Sequence, residues 1–191
     1  LHAWRAGARQ LAIHAPWHWS DDASSLLPDP ILPAWRQLAV LLHRREIVGQ
    51  LDVDGGECWI LQGSERQDAA LVAWGEDGAQ LDMLLSNGPV RVIDIFGNEH
   101  GVDVDAGRHP VDLGPMPVFV ESIDVALARF RGEMSIEPDV VTSLQRVSEH
   151  DLILRNPWDR AISGHVRLVD TGKLQMSPRR MDFSIDARGE T

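Results

Sequence analysis

The sequence predicts a mainly β protein: an antiparallel β-sandwich, preceded by one strand–loop–helix unit and followed by part of a second, sandwich-like module. Three observations carry this. One amphipathic helical pattern, Leu32 to Arg45, follows an apolar run at Gln10–His14 and a long loop. From Glu46 onward, short apolar or alternating runs recur about every ten residues, divided by Gly, Asn, Asp and Pro clusters. A further series of such runs follows Glu137-Pro138.

Taken in order, Leu1 to Arg9 has the pattern of a helix end and a turn, with Gly7 where a left-handed cap falls. A strand is expected at Gln10–His14. Ala15 to Pro33 holds Pro16, Pro28, Pro30 and Pro33 among Ser20, Asp21, Asp22, Ser24 and Ser25, which predicts a long loop. Loops of that length are usually functional or disordered. In the helix, Pro33 suits the first turn, while Trp35, Leu38, Ala39, Leu41 and Leu42 form the apolar stripe. Arg44 and Arg45 would complement the dipole in its last turn.

Strands are then expected at Ile47–Val53, Cys58–Leu61, Ala69–Trp74, Leu81–Leu84, Val90–Phe96, Pro110–Leu113 and Pro117–Val120. Gly55-Gly56, Asp77-Gly78, Asn87-Gly88 and Gly97-Asn98 mark the turns between them. Ile123–Arg131 suggests a short helix and Ser135–Asp139 a linker. The tail repeats the strand pattern at Asp151–Arg155, Ala161–Val169 and Arg180–Ile185. Three or four strands are too few for a complete sandwich. A lone parallel strand at Gln10–His14 likewise needs neighbours on its edges. Both ends therefore suggest a piece of something larger.

At 191 residues, 43% of them hydrophobic, the chain is globular, with a net charge of −11 spread along its length. Such a balance disfavours nucleic acid and anionic membranes as partners. No apolar run is long enough to cross a bilayer, and no signal-peptide pattern opens the chain. The single cysteine, Cys58, excludes a disulfide framework and a cysteine-rich zinc site. It leaves the compartment open, with an extracellular or periplasmic one compatible. Seven Trp stand beside no Tyr. A Trp face suits stacking on a sugar ring, but Trp35, Trp59 and Trp74 lie in amphipathic or strand-like runs and are expected in the core.

An apolar strand with an aromatic loop, the Trp35-Arg36-Gln37-Leu38 helix, Val48-Gly49-Gln50-Leu51, Leu71-Val72-Ala73-Trp74, Val92-Ile93-Asp94-Ile95-Phe96-Gly97-Asn98 and Pro117-Val118-Phe119-Val120-Glu121 follow one another. This order resembles the carboxy-terminal end of bacterial (β/α)8-barrel glycoside hydrolases, whose last barrel unit runs into a β-sandwich. Leu152–Pro157-Trp158 and Ile162-Ser163-Gly164-His165-Val166-Arg167-Leu168 are similar to the start of immunoglobulin-like accessory modules that follow such enzymes. The resemblance implies a terminal barrel strand and helix in residues 1–47, a β-sandwich in 48–134 and a partial immunoglobulin-like module in 135–191. It also implies that the two catalytic glutamates lie upstream of Leu1, so that no catalytic residue is assigned in this chain. The expected partners are carbohydrate, through the parent enzyme, and the amino-terminal barrel of the same polypeptide. The alternative is a free-standing carbohydrate-binding or adhesion module.

Trp17, His18 and Trp19 are the candidate substrate-binding residues, because the resemblance puts them at the C-terminal mouth of the last barrel strand. There a Trp would stack under a sugar ring while His18 donates to a hydroxyl. The competing reading has these rings capping the barrel or packing on the sandwich. No cofactor or metal is expected. His14 and His18 are four apart, but Pro16 between them breaks the helix that such a pair needs. Asp52–Glu57 and Asp103–Gly107 are aspartate-rich turns without full calcium-loop spacing. Cys58 lacks basic neighbours and is expected as a buried structural thiol. Asn156-Pro157-Trp158-Asp159 is expected to turn the chain, with Trp158 packed at a corner. No nucleophile elbow or phosphate-cradling loop occurs.

Overall fold

The computed structural model describes residues 6–7, 17–65, 68–139, 149–168 and 177–190. The strand expected at Gln10–His14 lies outside them, as does most of Leu1–Arg9, although Gly7 adopts a φ of 89°, the left-handed conformation expected there. The protein is mainly β, with 44% strand against 13% helix, in several antiparallel sheets. Contacts divide it into two compact units, residues 1–125 and 126–191.

In the first unit a small hairpin, β1 (Trp17–Trp19) and β2 (Leu26–Pro28), precedes helix α1 (Ile31–Leu42). Eight strands follow: β3 (Glu46–Leu51), β4 (Gly56–Gln62), β5 (Ala69–Gly75), β6 (Gln80–Met83), β7 (Val90–Asp94), β8 (Glu99–Val102), β9 (His109–Asp112) and β10 (Val118–Glu121). Six of them form one antiparallel sheet in the order β3-β4-β5-β10-β7-β8, and β6 pairs with β9 as a separate ribbon.

Helix α1 starts where Asp29 accepts the Ile31 N–H on Oδ1 at 2.9 Å and the Leu32 N–H on its carbonyl at 2.9 Å. Pro33 then falls inside the first turn, where a missing N–H costs nothing. The helix ends at Leu42, earlier than its periodicity predicts, because Arg44 turns left-handed with φ of 56°. Ala34, Leu38, Leu41 and Leu42 press onto Trp59, Leu61, Val72, Ile93 and Phe119 of the sheet. Trp59 and Trp74 meet edge to face at 4.7 Å in this layer.

Successive side chains in a strand point to opposite faces, yet Cys58, Ile60, Leu71, Ala73, Val92 and Val120 on the other face are equally buried. That double burial is why β4 and β5 read as continuous apolar runs rather than as an alternation. Gly75, opposite Gly56, is required by close approach: a Cβ there would lie 2.8 Å from both the Gly55 carbonyl oxygen and the Ala79 Cβ.

The second unit is a set of short ribbons. After α2 (Val125–Gly132), which begins at the junction, β11 (Ser135–Glu137) pairs with β12 (Asp151–Ile153), and β13 (Ile162–Arg167) pairs with β14 (Arg180–Ile185), both antiparallel. The expected linker at Ser135–Asp139 is thus partly strand. Phe130 of α2 meets Trp158 at 5.4 Å and Phe183 at 6.3 Å, which supplies an aromatic centre.

The sequence draws a boundary after residue 47. In the structure the stripe of α1 is buried on the six-stranded sheet, and helix and sheet share one compact unit.

Candidate functional site

The long proline-rich segment contains the β1–β2 hairpin, held by local turn chemistry. At its tip Asp22 Oδ1 accepts the Ser20 hydroxyl at 2.6 Å, the Ser24 hydroxyl at 2.7 Å and the Ser24 N–H at 3.0 Å. The Ser20 N–H donates to the Ser25 carbonyl at 2.8 Å and the Ser25 N–H to the Ser20 hydroxyl at 3.0 Å. Ser and Asp side chains close turns in this way. The Ser20 hydroxyl, with that of Ser24, holds the Asp22 carboxyl down to about 2.

The register pairs Trp17 with Pro28, His18 with Leu27 and Trp19 with Leu26. Strand alternation therefore puts Trp17, Trp19, Leu26 and Pro28 on one face and His18 with Leu27 on the reverse. Trp17 and Trp19 are 48% and 64% exposed, so the first face is open and aromatic. The structure puts the two tryptophans on one face of the hairpin and His18 on the other.

The aspartate-rich segments are tight turns. Gly56 donates to the Val53 carbonyl at 3.2 Å. Asp105 and Arg108 exchange two 2.8 Å backbone hydrogen bonds around Ala106 and Gly107, whose φ angles of 46° and 79° suit a hairpin turn. Among the described residues, no three His, Cys, Asp or Glu side chains converge as a metal site, and no helix is long and apolar enough to cross a membrane. His14 lies outside the described residues. Cys58 is buried, and burial pushes its thiol up to about 12. Asn156 and Trp158 turn the chain as expected: Asn156 Oδ1 accepts the Trp158 N–H at 2.9 Å, while its amide donates to the carbonyls of Arg160 and Asp186, both at 2.8 Å.

Two polar centres have no counterpart in the sequence reading. His109 is fully buried on β9, where Nδ1 accepts the Leu85 N–H at 3.1 Å and Nε2 faces the Gly88 carbonyl at 2.9 Å. The contacts place its proton on Nε2. Arg45, beyond the end of α1, donates to Asp68 at 2.7 Å, Glu121 at 2.8 Å and the Leu41 carbonyl at 3.0 Å. Glu121 also accepts from Arg91, which reaches Glu99 at 3.1 Å. The only signal for this network was a helix-terminal arginine. Every member is matched by a partner, as in a structural clamp.

No family model matches the chain, and neither does any curated protein. Among solved structures it is similar to a family 39 glycoside hydrolase from the gut symbiont Bacteroides cellulosilyticus WH2, with a TM-score of 0.43 and 20% identity over 51% of this chain. The chain spans 20% of that protein's length.

Proposed function

We propose that this chain is the carboxy-terminal structural portion of a glycoside hydrolase, with residues 1–47 completing a (β/α)8 barrel, 48–134 forming its adjoining β-sandwich and 135–191 opening an immunoglobulin-like module. The observation that carries the reading is where apolar surface is left open. Trp17, Trp19, Leu26, Leu27, Ile31 and Val40 are all exposed and lie in the hairpin and helix that precede the sheet. Exposed apolar side chains gathered in one stretch of chain favour an interaction surface there. One stripe of helix α1 meets the sheet, and Val40, on the side away from it, is 63% exposed. In a barrel, Val40 would supply the apolar contact on that outward side.

In this reading hydrolysis is performed by two carboxylates of the barrel, an acid/base and a nucleophile or base, upstream of Leu1. The present chain supports the barrel mouth. Trp17 and Trp19 offer a stacking face to the sugar, and His18 offers a hydrogen-bonding group on the reverse of the ribbon. The test is reconstitution. The purified chain alone should hydrolyse no glycoside, and it should bind the upstream part of its polypeptide with an affinity lowered at least tenfold by Val40→Glu. Turnover by the chain alone, abolished by replacing one of its own carboxylates, would refute the reading.

The second reading, a free-standing carbohydrate-binding module, is favoured by one observation, the two tryptophans exposed on a single face. It predicts sugar binding with no affinity for an upstream barrel.

A further inference from the structure

In the second unit β13 and β14 pair only with each other, and among the described residues no third strand joins them. A two-stranded ribbon is marginal by itself and gains from further strands. Which backbone groups its edges present follows from the register. The Leu168 N–H donates to the Arg179 carbonyl at 3.0 Å, and the same register continues through Val166 with Met181, Gly164 with Phe183 and Ile162 with Ile185. Antiparallel pairs alternate between hydrogen-bonded and non-bonded, so these are the bonded ones. The N–H and C=O groups of Arg180, Asp182 and Ser184 therefore point away from β13, and those of Ser163, His165 and Arg167 point away from β14.

The two edges differ in what they accept. Edge strands commonly carry charges that repel a second strand. On β14 the charges instead change sign around one apolar residue, in Arg180-Met181-Asp182. An antiparallel copy of that strand, centred on Met181, meets opposites: Arg180 faces Asp182 of the second copy and Asp182 faces its Arg180. In one chain these two exposed side chains pair along the strand at 3.2 Å, a surface contact that can exchange partners at little cost. Met181, half-buried on the reverse face, would meet its own counterpart in the closer, non-bonded kind of pair. Strand β13 has no such match, because centring it on His165 sets that residue against itself and Ser163 against Arg167. Basic and acidic side chains balance within residues 126–191, so the net charge of −11 resides in residues 1–125 and does not hold two copies of the ribbon apart.

We infer that β14 is a self-association edge, on which two copies of the chain join through Arg180–Asp182, antiparallel about a two-fold axis at Met181. The product is one continuous sheet in the order β13-β14-β14-β13. Such a contact is isologous and closes at the dimer. It is independent of the hydrolase reading.

The contact is small, so a dissociation constant on the order of 100 μM is expected. Sedimentation of the full chain up to about 1 mM should show monomer passing to dimer and nothing larger. Arg180→Asp and Asp182→Arg should each weaken the dimer at least tenfold, because each sets like charges opposite one another. The double exchange should restore it, and so should mixing the two single variants, which then pair as a heterodimer. Arg167→Asp, on the other edge, should leave it unchanged. Circular dichroism checks that each variant is folded. In hydrogen exchange the Arg180 and Asp182 amides should lose protection on dilution, while those of Met181 and Phe183, bonded to β13, keep theirs. A chain that stays monomeric at 1 mM, larger assemblies, or single variants rescued neither by the double exchange nor by mixing would overturn the inference. So would a dimer abolished by Trp19→Ala, or protection of the Arg180 and Asp182 amides that dilution leaves unchanged, since the edge would then be covered within one chain.

Discussion

The guanidinium of Arg45 donates to the carboxylate of Glu121 at 2.8 Å, tying the residue just past helix α1 to strand β10 inside the six-stranded sheet. Both side chains are largely buried, at 12% and 16% exposure. Removing one member of a largely buried pair strands the other. Arg45→Ala would also release the Leu41 carbonyl and leave Asp68 with one partner fewer. Its expected cost is about 2–3 kcal/mol, with Arg45→Lys intermediate because an ammonium cannot reproduce the planar fork. Urea denaturation followed by circular dichroism measures both. A change below about 0.5 kcal/mol for Arg45→Ala would show that the clamp does not hold the helix.

The same pair predicts how the first unit responds to acid. Burial alone would raise the Glu121 carboxyl, but hydrogen bonds and charge from Arg45 and Arg91 outweigh it and hold the group below its ordinary 4.5. A depressed folded value means that the unfolded chain binds the proton first, so the stabilisation is complete above about pH 4.5 and is lost as pH falls through the folded value. Asp94 acts in the same direction: burial opposes ionisation, yet hydrogen bonds from Asn98, Phe96 and Gly97 lower its carboxyl below 3.8. Stability measured by urea titration should be level near neutrality and decline below pH 4.5. Glu121→Gln should lose stability at neutral pH and flatten the decline. An unchanged acid limb in that variant would remove Glu121 from the explanation.

In the second unit Asn156 is 3% exposed and joins the turn at Trp158 to the end of β14. Its amide donates to the carbonyls of Arg160 and Asp186 and, at 3.4 Å, to that of Ile185, and its oxygen accepts the Trp158 N–H. Asn156→Ala should therefore cost about 2–3 kcal/mol by leaving these groups unpaired. Asn156→Asp should be worse at neutral pH, because it sets a carboxylate against the carbonyls of Arg160 and Asp186. Hydrogen exchange at the Trp158 amide gives a local readout, and protection equal to that of the parent chain would rule out the clamp.

Legibility in the sequence followed burial and local periodicity. The helix and the runs that became β4, β5, β7 and β10 were readable because each carries enough apolar side chains to bury its faces, and Trp59 fell in the core as its run implied. Strand β8, Glu99–Val102, was not readable: it is a largely exposed edge of polar residues and glycine, held by pairing to β7 rather than by side-chain burial. The β1–β2 hairpin was hidden by its prolines, since Pro28 is tolerated only because a short isolated strand asks little of its N–H. His109 and Arg45 were invisible for another reason. Their partners lie 21 to 76 residues away, at Leu85, Gly88, Asp68 and Glu121, and no periodicity encodes such pairings. At the candidate site the sequence grouped Trp17, His18 and Trp19, because three consecutive residues look like one cluster until the strand alternation, which separates His18 from the two tryptophans, is known.

Cys58 sits within β4, fully buried, where burial pushes its thiol up to about 12. A thiolate is the reactive form, so at pH 8 the native side chain is doubly protected, by access and by protonation. A disulfide-exchange reagent added to the folded chain should label almost no thiol, and full labelling should appear only after denaturation. Because the face of β4 that carries Cys58 is covered, the labelling rate should follow opening of the sheet and rise with urea along the same transition as circular dichroism. Cys58→Ala should cost about 1 kcal/mol through lost packing, and Cys58→Ser more, since its hydroxyl would be buried in apolar surroundings. Rapid labelling of the native chain, at the rate of a free thiol, would mean that β4 does not lie inside the sheet and would undo the six-stranded order on which the rest of the first unit depends.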